Sequence, residues 1–217
     1  MEKIILIGAG GHCKVVIEII KEFYEIAGIT DSDYSKHGSQ YHGISVIGND
    51  EKLRYIYNNG VNRALVTVGS TGNSMLRKKL YEYASCIGFD MVNSVSRSAI
   101  VSPSVRTGRG NVVMDGAIIH ADSVLGNNTI INTASIIEHD CIIQDHVHIS
   151  PGAKLAGGVI AGEGSHIGIG ATVIQNVKIG KHCIVGAGAV VTGDIPDFSV
   201  CVGVPARIIR QNTIEKP

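Results

Sequence analysis

Two kinds of hydrophobic patterning divide the chain. Up to about residue 97, short apolar runs alternate with stretches of helical spacing. Lys3-Ile4-Ile5-Leu6-Ile7 runs into Gly8-Ala9-Gly10-Gly11-His12, which predicts a buried parallel strand ending in a glycine turn. Val15, Val16, Ile19 and Ile20 then recur at helical spacing. Glu25–Thr30 and Ala64–Gly69 predict further strands, with a weaker one near Phe89–Val95, and residues 50–58 and 72–87 predict helices. Strands alternating with helices imply a parallel sheet.

From residue 98 the period changes to six. Val101, Thr107, Val113, Ile119, Leu125, Ile131, Ile137, Ile143, Ile149, Leu155, Ala161, Ile167, Val173, Ile179, Val185 and Val191 follow one another without a slip in phase, and fourteen of the sixteen are Val, Ile or Leu. Four residues after the aliphatic, small side chains dominate (Ala117, Ser123, Thr129, Ser135, Cys141, Ala153, Ser165), and glycine is frequent just after it (Gly108, Gly126, Gly162, Gly168). A period of six does not match 3.6, so an amphipathic helix is excluded. Each hexad reads as a short strand and a turn that buries its aliphatic only by stacking on its neighbours, a parallel β-helix.

Composition agrees. The chain has 217 residues, with 32 Ile, 23 Val, 27 Gly and no Trp, as expected of a β-rich core with many turns. Nineteen basic and nineteen acidic residues cancel, which argues against a general nucleic-acid binder. No apolar run reaches the roughly 18 residues needed to span a membrane, and the apolar start is too short for a secretory signal. The expectation is a cytoplasmic protein without membrane insertion. Five scattered cysteines with no CxxC fit reduced thiols.

The glycine turn carries the first candidate chemistry. Gly8, Gly10 and Gly11 allow a phosphate close to the backbone, and the following helix N-terminus favours an anion. Cys13 stands where a full G-x-G-x-x-G would need glycine, and there is no Walker lysine; a tight turn without ligand reads equally well. Asp31, Ser32 and Asp33 follow the second strand, where a ribose hydroxyl is commonly gripped, although Asp-Ser-Asp is also turn chemistry. His12, at the helix start, is placed to reach a phosphate or sugar. A general base that works near neutral pH is best supplied by histidine, and a carboxylate beside it would stabilise the imidazolium. Glu138 and Asp140 both flank His139.

The hexads and the ending Gly193-Asp194-Ile195-Pro196 … Gly203-Val204-Pro205-Ala206-Arg207 resemble the hexapeptide-repeat acyltransferases. Gly8–His12, Asp31-Ser32-Asp33 and Ile137-Glu138-His139-Asp140-Cys141 narrow the resemblance to NeuD/PglD-type sugar acetyltransferases. It spans nearly the whole chain. It implies a small Rossmann-like nucleotide-sugar-binding domain over 1–97 and a left-handed parallel β-helix with a C-terminal tail over 98–217; with the three hexads per coil that this implies, His139 stacks under Gly157, His148 under His166 and Asn132 under Ser150. It further implies a homotrimer with active sites between subunits, and acetyl-CoA as co-substrate with no metal. By the same resemblance, His139 is the general base and Asp140 tunes it. Gly10, Gly11, His12, Asp31, Ser32, Asp33 and Asn132 would hold the acceptor, and His148, Gly157, Ile169 and Ala187 would line the acetyl-CoA groove, with Ala187 departing from the expected glycine. The expected acceptor is the amino group of a nucleotide-linked sugar, a UDP-4-amino-4,6-dideoxy sugar first, in bacterial glycan synthesis. O-acetylation of sialic acid or another sugar is the main alternative. A zinc lyase of the carbonic anhydrase type, drawing on His139, His146, His148 and His166, and a non-catalytic sugar-nucleotide binder are further ones.

Overall fold

A computed structural model describes residues 1–213; the last four residues of the expected second domain lie outside them. β1 (Lys3–Ile7), β2 (Glu25–Thr30), β3 (Gln40–Tyr41), β4 (Ile44–Gly48), β5 (Arg63–Val66) and β6 (Asp90–Met91) form one sheet in the order β3-β4-β2-β1-β5-β6. Pairing is parallel except in the β3–β4 hairpin. α1 (Gly11–Ile20) covers one face of the sheet, and α2 (Leu53–Asn58) and α3 (Met75–Ile87) cover the other. Alternation explains the unbroken apolar run of β1: Ile4 and Leu6 pack with Val16 and Ile20 of α1, while Ile5 and Ile7 pack with Leu53 and Ala84 opposite.

The strand expected over 64–69 stops at Val66, because Thr67 turns back and donates its hydroxyl to the Gly8 carbonyl at 2.6 Å. The hairpin has no counterpart in the sequence pattern: β3 has two residues and His42-Gly43 interrupts the run. The weak strand near 89–95 is two strands. Asp90–Met91 closes the α/β sheet, whereas Ser94–Val95 is the first rung of the coil and pairs with Val112–Val113.

Rungs of two residues then build three parallel sheets, each rung pairing with the one 18 residues on, as Ile130↔His148 and His148↔His166 show. The first face runs through Val112, Ile130, His148, His166 and Ile184; the second through Ile118, Ile136, Lys154, Thr172 and Val190; the third through Val124, Ile142, Ile160 and Lys178. From Val113 onward the aliphatic and small columns fill the interior, nearly all of them fully buried.

Glycine serves two separate columns. One is the close-approach column seen in the sequence: a Cβ on Gly162 would stand 2.5 Å from the Gly180 carbonyl carbon on the next coil. The other is conformational. Every sixth residue from Gly110 to Gly188 has φ between +52° and +71°. Where it is not glycine it is Asp122, Asn128, Ala134, Asp140, His146, Asn176 or His182, mostly the types that tolerate the left-handed region.

One turn of α3 fastens the two units. Ser74, Arg77 and Lys78 share a helix face. Arg77 is 1% exposed; its guanidinium donates to the carbonyls of Asn128 and His146. The Ser74 hydroxyl donates to the Gly164 carbonyl at 3.2 Å, and Lys78 pairs with Glu163 at 2.7 Å. Burial, with Arg77 adding to it, lowers the His146 imidazole to about 4, so it stays neutral beside the cation.

Candidate active site

The carboxyl ends of parallel strands form a crevice where the strand order reverses, and here a cavity of about 740 Å³ lies at those ends, closed on one side by the β-helix. Gly8 begins its floor. It has φ +107°, and a Cβ there would meet Val68 Cγ2 at 2.3 Å. Gly10 precedes α1 with no side-chain cap, and the first turn carries no acidic residue, so an anion at the Gly10 and Gly11 amides would meet no competing side chain. His12 lines the same cavity; its Nε2 is buried without a partner among the described residues, and burial, then Arg77, lower it to about 4.

Asp31 shapes the turn rather than standing free. Its Oδ2 accepts from the Ala9 amide at 2.7 Å and from Lys36 Nζ at 3.0 Å, and its Oδ1 accepts from the Asp33 amide at 2.9 Å. Burial alone would raise its carboxyl; these donors outweigh burial and hold it below the ordinary 3.8. Ser32, Asp33, Lys36 and Asp50 line the wall beside it.

The β-helix contributes Met114, Asn132, Thr133 and His148. The Ser70 carbonyl accepts from His148 Nδ1 at 2.6 Å. That bond fixes the tautomer, so Nε2 carries the lone pair and accepts from Asn132 Nδ2 at 3.0 Å. The Asn132 carbonyl oxygen in turn accepts from the Thr133 amide at 2.8 Å, and among the described residues one amide N–H of Asn132 stays unspent beside the cavity. Burial lowers His148 to about 3 despite the Ser70 bond.

A second group lies on the corner between the second and third faces. His139 Nδ1 bonds Asp140 Oδ2 at 2.8 Å, and both side chains are about two-thirds exposed (64% and 66%). Neighbours on a strand point apart; these meet because Asp140 has φ +61° and belongs to the left-handed column. Glu138 faces His120 instead, at 3.8 Å. The Asp140 hydrogen bond raises the His139 imidazole above its ordinary 6.5, with Asp140 and Glu138 charges adding to it against slight desolvation. The ring lies against Gly157, where a Cβ would stand 2.6 Å from Cε1 and 2.7 Å from Nε2.

Comparison with known proteins agrees with this division. The PglD N-terminal domain family matches residues 3–84, and the bacterial transferase hexapeptide family matches 122–157 and 158–193. A perosamine N-acetyltransferase from Caulobacter crescentus, solved as a histidine-to-asparagine variant with CoA and GDP-perosamine, is 42% identical with a TM-score of 0.91, over 97% of this chain and 98% of that one. The chain belongs to the NeuD/PglD-type sugar acetyltransferases. The acetyltransferase domain of PglB from Neisseria gonorrhoeae, solved with acetyl coenzyme A, is 39% identical with a TM-score of 0.86, over 96% of this chain and 99% of that one. An uncharacterised protein of Acanthamoeba polyphaga mimivirus is 34% identical over 119 residues, which are 54% of this chain and 22% of that protein. The chain thus spans about a fifth of the curated relative it matches.

Between the α/β unit and the left-handed β-helix, Gly10, Gly11, His12, Asp31, Ser32, Asp33 and Asn132 come together around one cavity. His139, Asp140 and Gly157 come together on a different corner. Ile169 and Ala187 are exposed on the corner between the first and second faces, one coil apart, with the Gly188 amide bonded to the Ile169 carbonyl. His148 is 7% exposed, buried under the Ser70 segment and lining the glycine-turn cavity, on a different side of the coil from Gly157, Ile169 and Ala187. Of the histidines a zinc site would draw on, His148 and His166 meet edge-to-face at 5.0 Å, but among the described residues no third His, Cys, Asp or Glu completes a metal-holding group with them, and both His148 nitrogens are engaged by Ser70 and Asn132. Sequence reasoning missed Lys36, Asp50, Ser70 and Arg77; the only signal for Asp50 was its place after the Ile44–Ile47 run, at a strand's carboxyl end.

Gly157→Ala tests the packing of the imidazole. The backbone there is not left-handed, so alanine is conformationally acceptable, but its methyl displaces the ring. A 1 Å misplacement can cost about 10²-fold in rate. Steady-state kinetics should show kcat falling by about that factor, with an unchanged melting curve.

Proposed function

We propose that this protein transfers acetyl from acetyl-CoA to the free amine of a nucleoside-diphosphate amino sugar, with His139 as general base. The observation that carries the reading is the His139–Asp140 pair: Nδ1 is held by a carboxylate and Nε2 is left open at the surface over a glycine. In the proposed step the sugar nitrogen attacks the thioester carbonyl, and Nε2 accepts the proton the nitrogen sheds. The C–S bond breaks, and the CoA thiolate takes a proton, giving amide and free thiol. Asp140 stabilises the imidazolium formed on the way. No acyl-enzyme is required: Cys141 and Cys183 are fully buried, and burial raises both thiols.

The diphosphate sits at the Gly10–Gly11 amides, with the sugar directed toward Asn132. Gly157, Ile169 and Ala187 mark the CoA path, as the family resemblance implies. The base and the acceptor cavity lie on different corners of one prism, and His139 is too exposed to exclude water by itself. A homotrimer in which His139 of one copy closes on the cavity of the next answers both points, and exposed Ile142 and Ile169 offer apolar contact. Among the described residues no helix is long and apolar enough to cross a membrane; the reading places the enzyme in the cytoplasm, beside its CoA supply. A 4-amino-4,6-dideoxy sugar is the acceptor this reading favours.

The test is a mass-resolved acetylation assay over UDP-, GDP- and dTDP-linked amino sugars, with free sialic acid included. One acetyl gained on the amine of a nucleotide sugar is the expected result. Acetyl gained only on a hydroxyl, or no transfer despite nucleotide binding, would overturn it.

A further inference from the structure

The cavity has a direction. Its centre is the glycine turn after β1, its β-helix end holds Asn132 and His148, and its opposite end lies beyond β2 and β4. If the diphosphate occupies the centre and the sugar the β-helix end, as the proposed function requires, the nucleobase falls at the β2–β4 end. Two side chains there are unlike the rest. Asp50 opens the segment after β4; its Oδ1 accepts the Thr30 hydroxyl at 2.7 Å, and its other oxygen has no protein donor among the described residues. Lys36 reaches the same wall, its ammonium 3.0 Å from Asp31 and 4.0 Å from Asp33. Asp31 differs from Asp50 in having both oxygens engaged. Burial raises the Asp50 carboxyl, and the neighbouring Asp31 charge adds to this against the Thr30 bond, so a ligand N–H donor would relieve a real imbalance.

Lys36 is held by Asp31 and Asp50 by the adjacent Thr30, and both line one wall of the cavity, the first bringing a cation and the second an open carboxylate oxygen. Guanine carries an O6 acceptor next to N1–H and N2–H₂ donors. Uracil and thymine carry an acceptor on both sides of their single N–H, and one of those oxygens would face the carboxylate. We infer that Asp50, with Lys36, is a specificity-determining pair that selects a guanosine diphosphate sugar over its uridine and thymidine counterparts.

Calorimetric titration of the intact protein with GDP, UDP, dTDP, CDP and ADP tests this without turnover. A good paired contact to a base discriminates by about 5- to 150-fold. GDP should therefore bind tighter than UDP or dTDP by a factor within that range of about 5- to 150-fold. Asp50→Asn, which keeps the side chain's size and can still accept from Thr30, should erase that preference while leaving UDP affinity and the melting curve unchanged. Lys36→Met should weaken GDP in the same direction. Equal binding of GDP and UDP by the parent protein, tightest binding of CDP or ADP, or an Asp50→Asn loss shared by all five nucleotides would overturn the base assignment alone. Binding of acetyl-CoA but of none of the nucleotides would overturn the nucleotide cavity itself, and the base assignment with it.

Discussion

The His139→Ala protein is expected to assemble and melt like the parent and to turn over about 10²- to 10⁴-fold more slowly, the usual contribution of a positioned general base. The side chain is largely exposed, and its one protein hydrogen bond among the described residues runs to an equally exposed Asp140, so little folding energy depends on it. The loss should fall on kcat, with KM for acetyl-CoA and acceptor nearly unchanged, because alanine removes a group that acts on the proton rather than one that holds either substrate. The pH profile sharpens the expectation. A base works deprotonated, and Asp140 raises the His139 imidazole above 6.5. The acid limb of kcat/KM should therefore rise through a value above 6.5 and flatten at higher pH. Asp140→Asn removes the raising partner, so the limb should move to lower pH while the plateau rate falls. A limb unmoved by Asp140→Asn would mean that another group controls it.

Loss of Arg77 is expected to be the most destabilising single change at the domain interface. Arg77→Ala strands the carbonyls of Asn128 and His146 in a buried seam. An unsatisfied buried polar group costs about 1–3 kcal/mol, and the vacated volume adds to that, so a loss of about 3–5 kcal/mol is expected in urea unfolding. Arg77→Lys should recover little, since an ammonium cannot reproduce the planar fork that meets two carbonyls at once. The β-helix core is separate and fully aliphatic apart from its small-residue column, so the N-terminal unit should lose protection in hydrogen exchange before the coil does. Uniform loss in both units would show that the clamp supports more than the interface.

The sequence carried the coil almost completely, because each inward position repeats one demand sixteen times and the phase never slips. The His139–Asp140–Gly157 group was legible for the same reason: 18-residue stacking places Gly157 over the ring, and only the meeting of neighbours 139 and 140 needed the left-handed turn that the structure supplies. The interface was not legible. Arg77 stands in Leu76-Arg77-Lys78-Lys79, where nothing local separates a buried guanidinium from solvated lysines. His148 has the alternating position of any rung on the first face, and its tautomer is set by a carbonyl 78 residues away. Asp50 and Lys36 become a pair only because β2 and β4 lie side by side, which no local pattern announces.

The most direct test of the account is the crystal structure of the protein with CoA and a nucleotide-linked amino sugar bound. The sugar amine should lie within about 3 Å of a His139 Nε2, donated by the copy adjoining the one whose glycine turn holds the diphosphate. An amine beyond reach of every His139 ring, with that ring turned to bulk water, would contradict it.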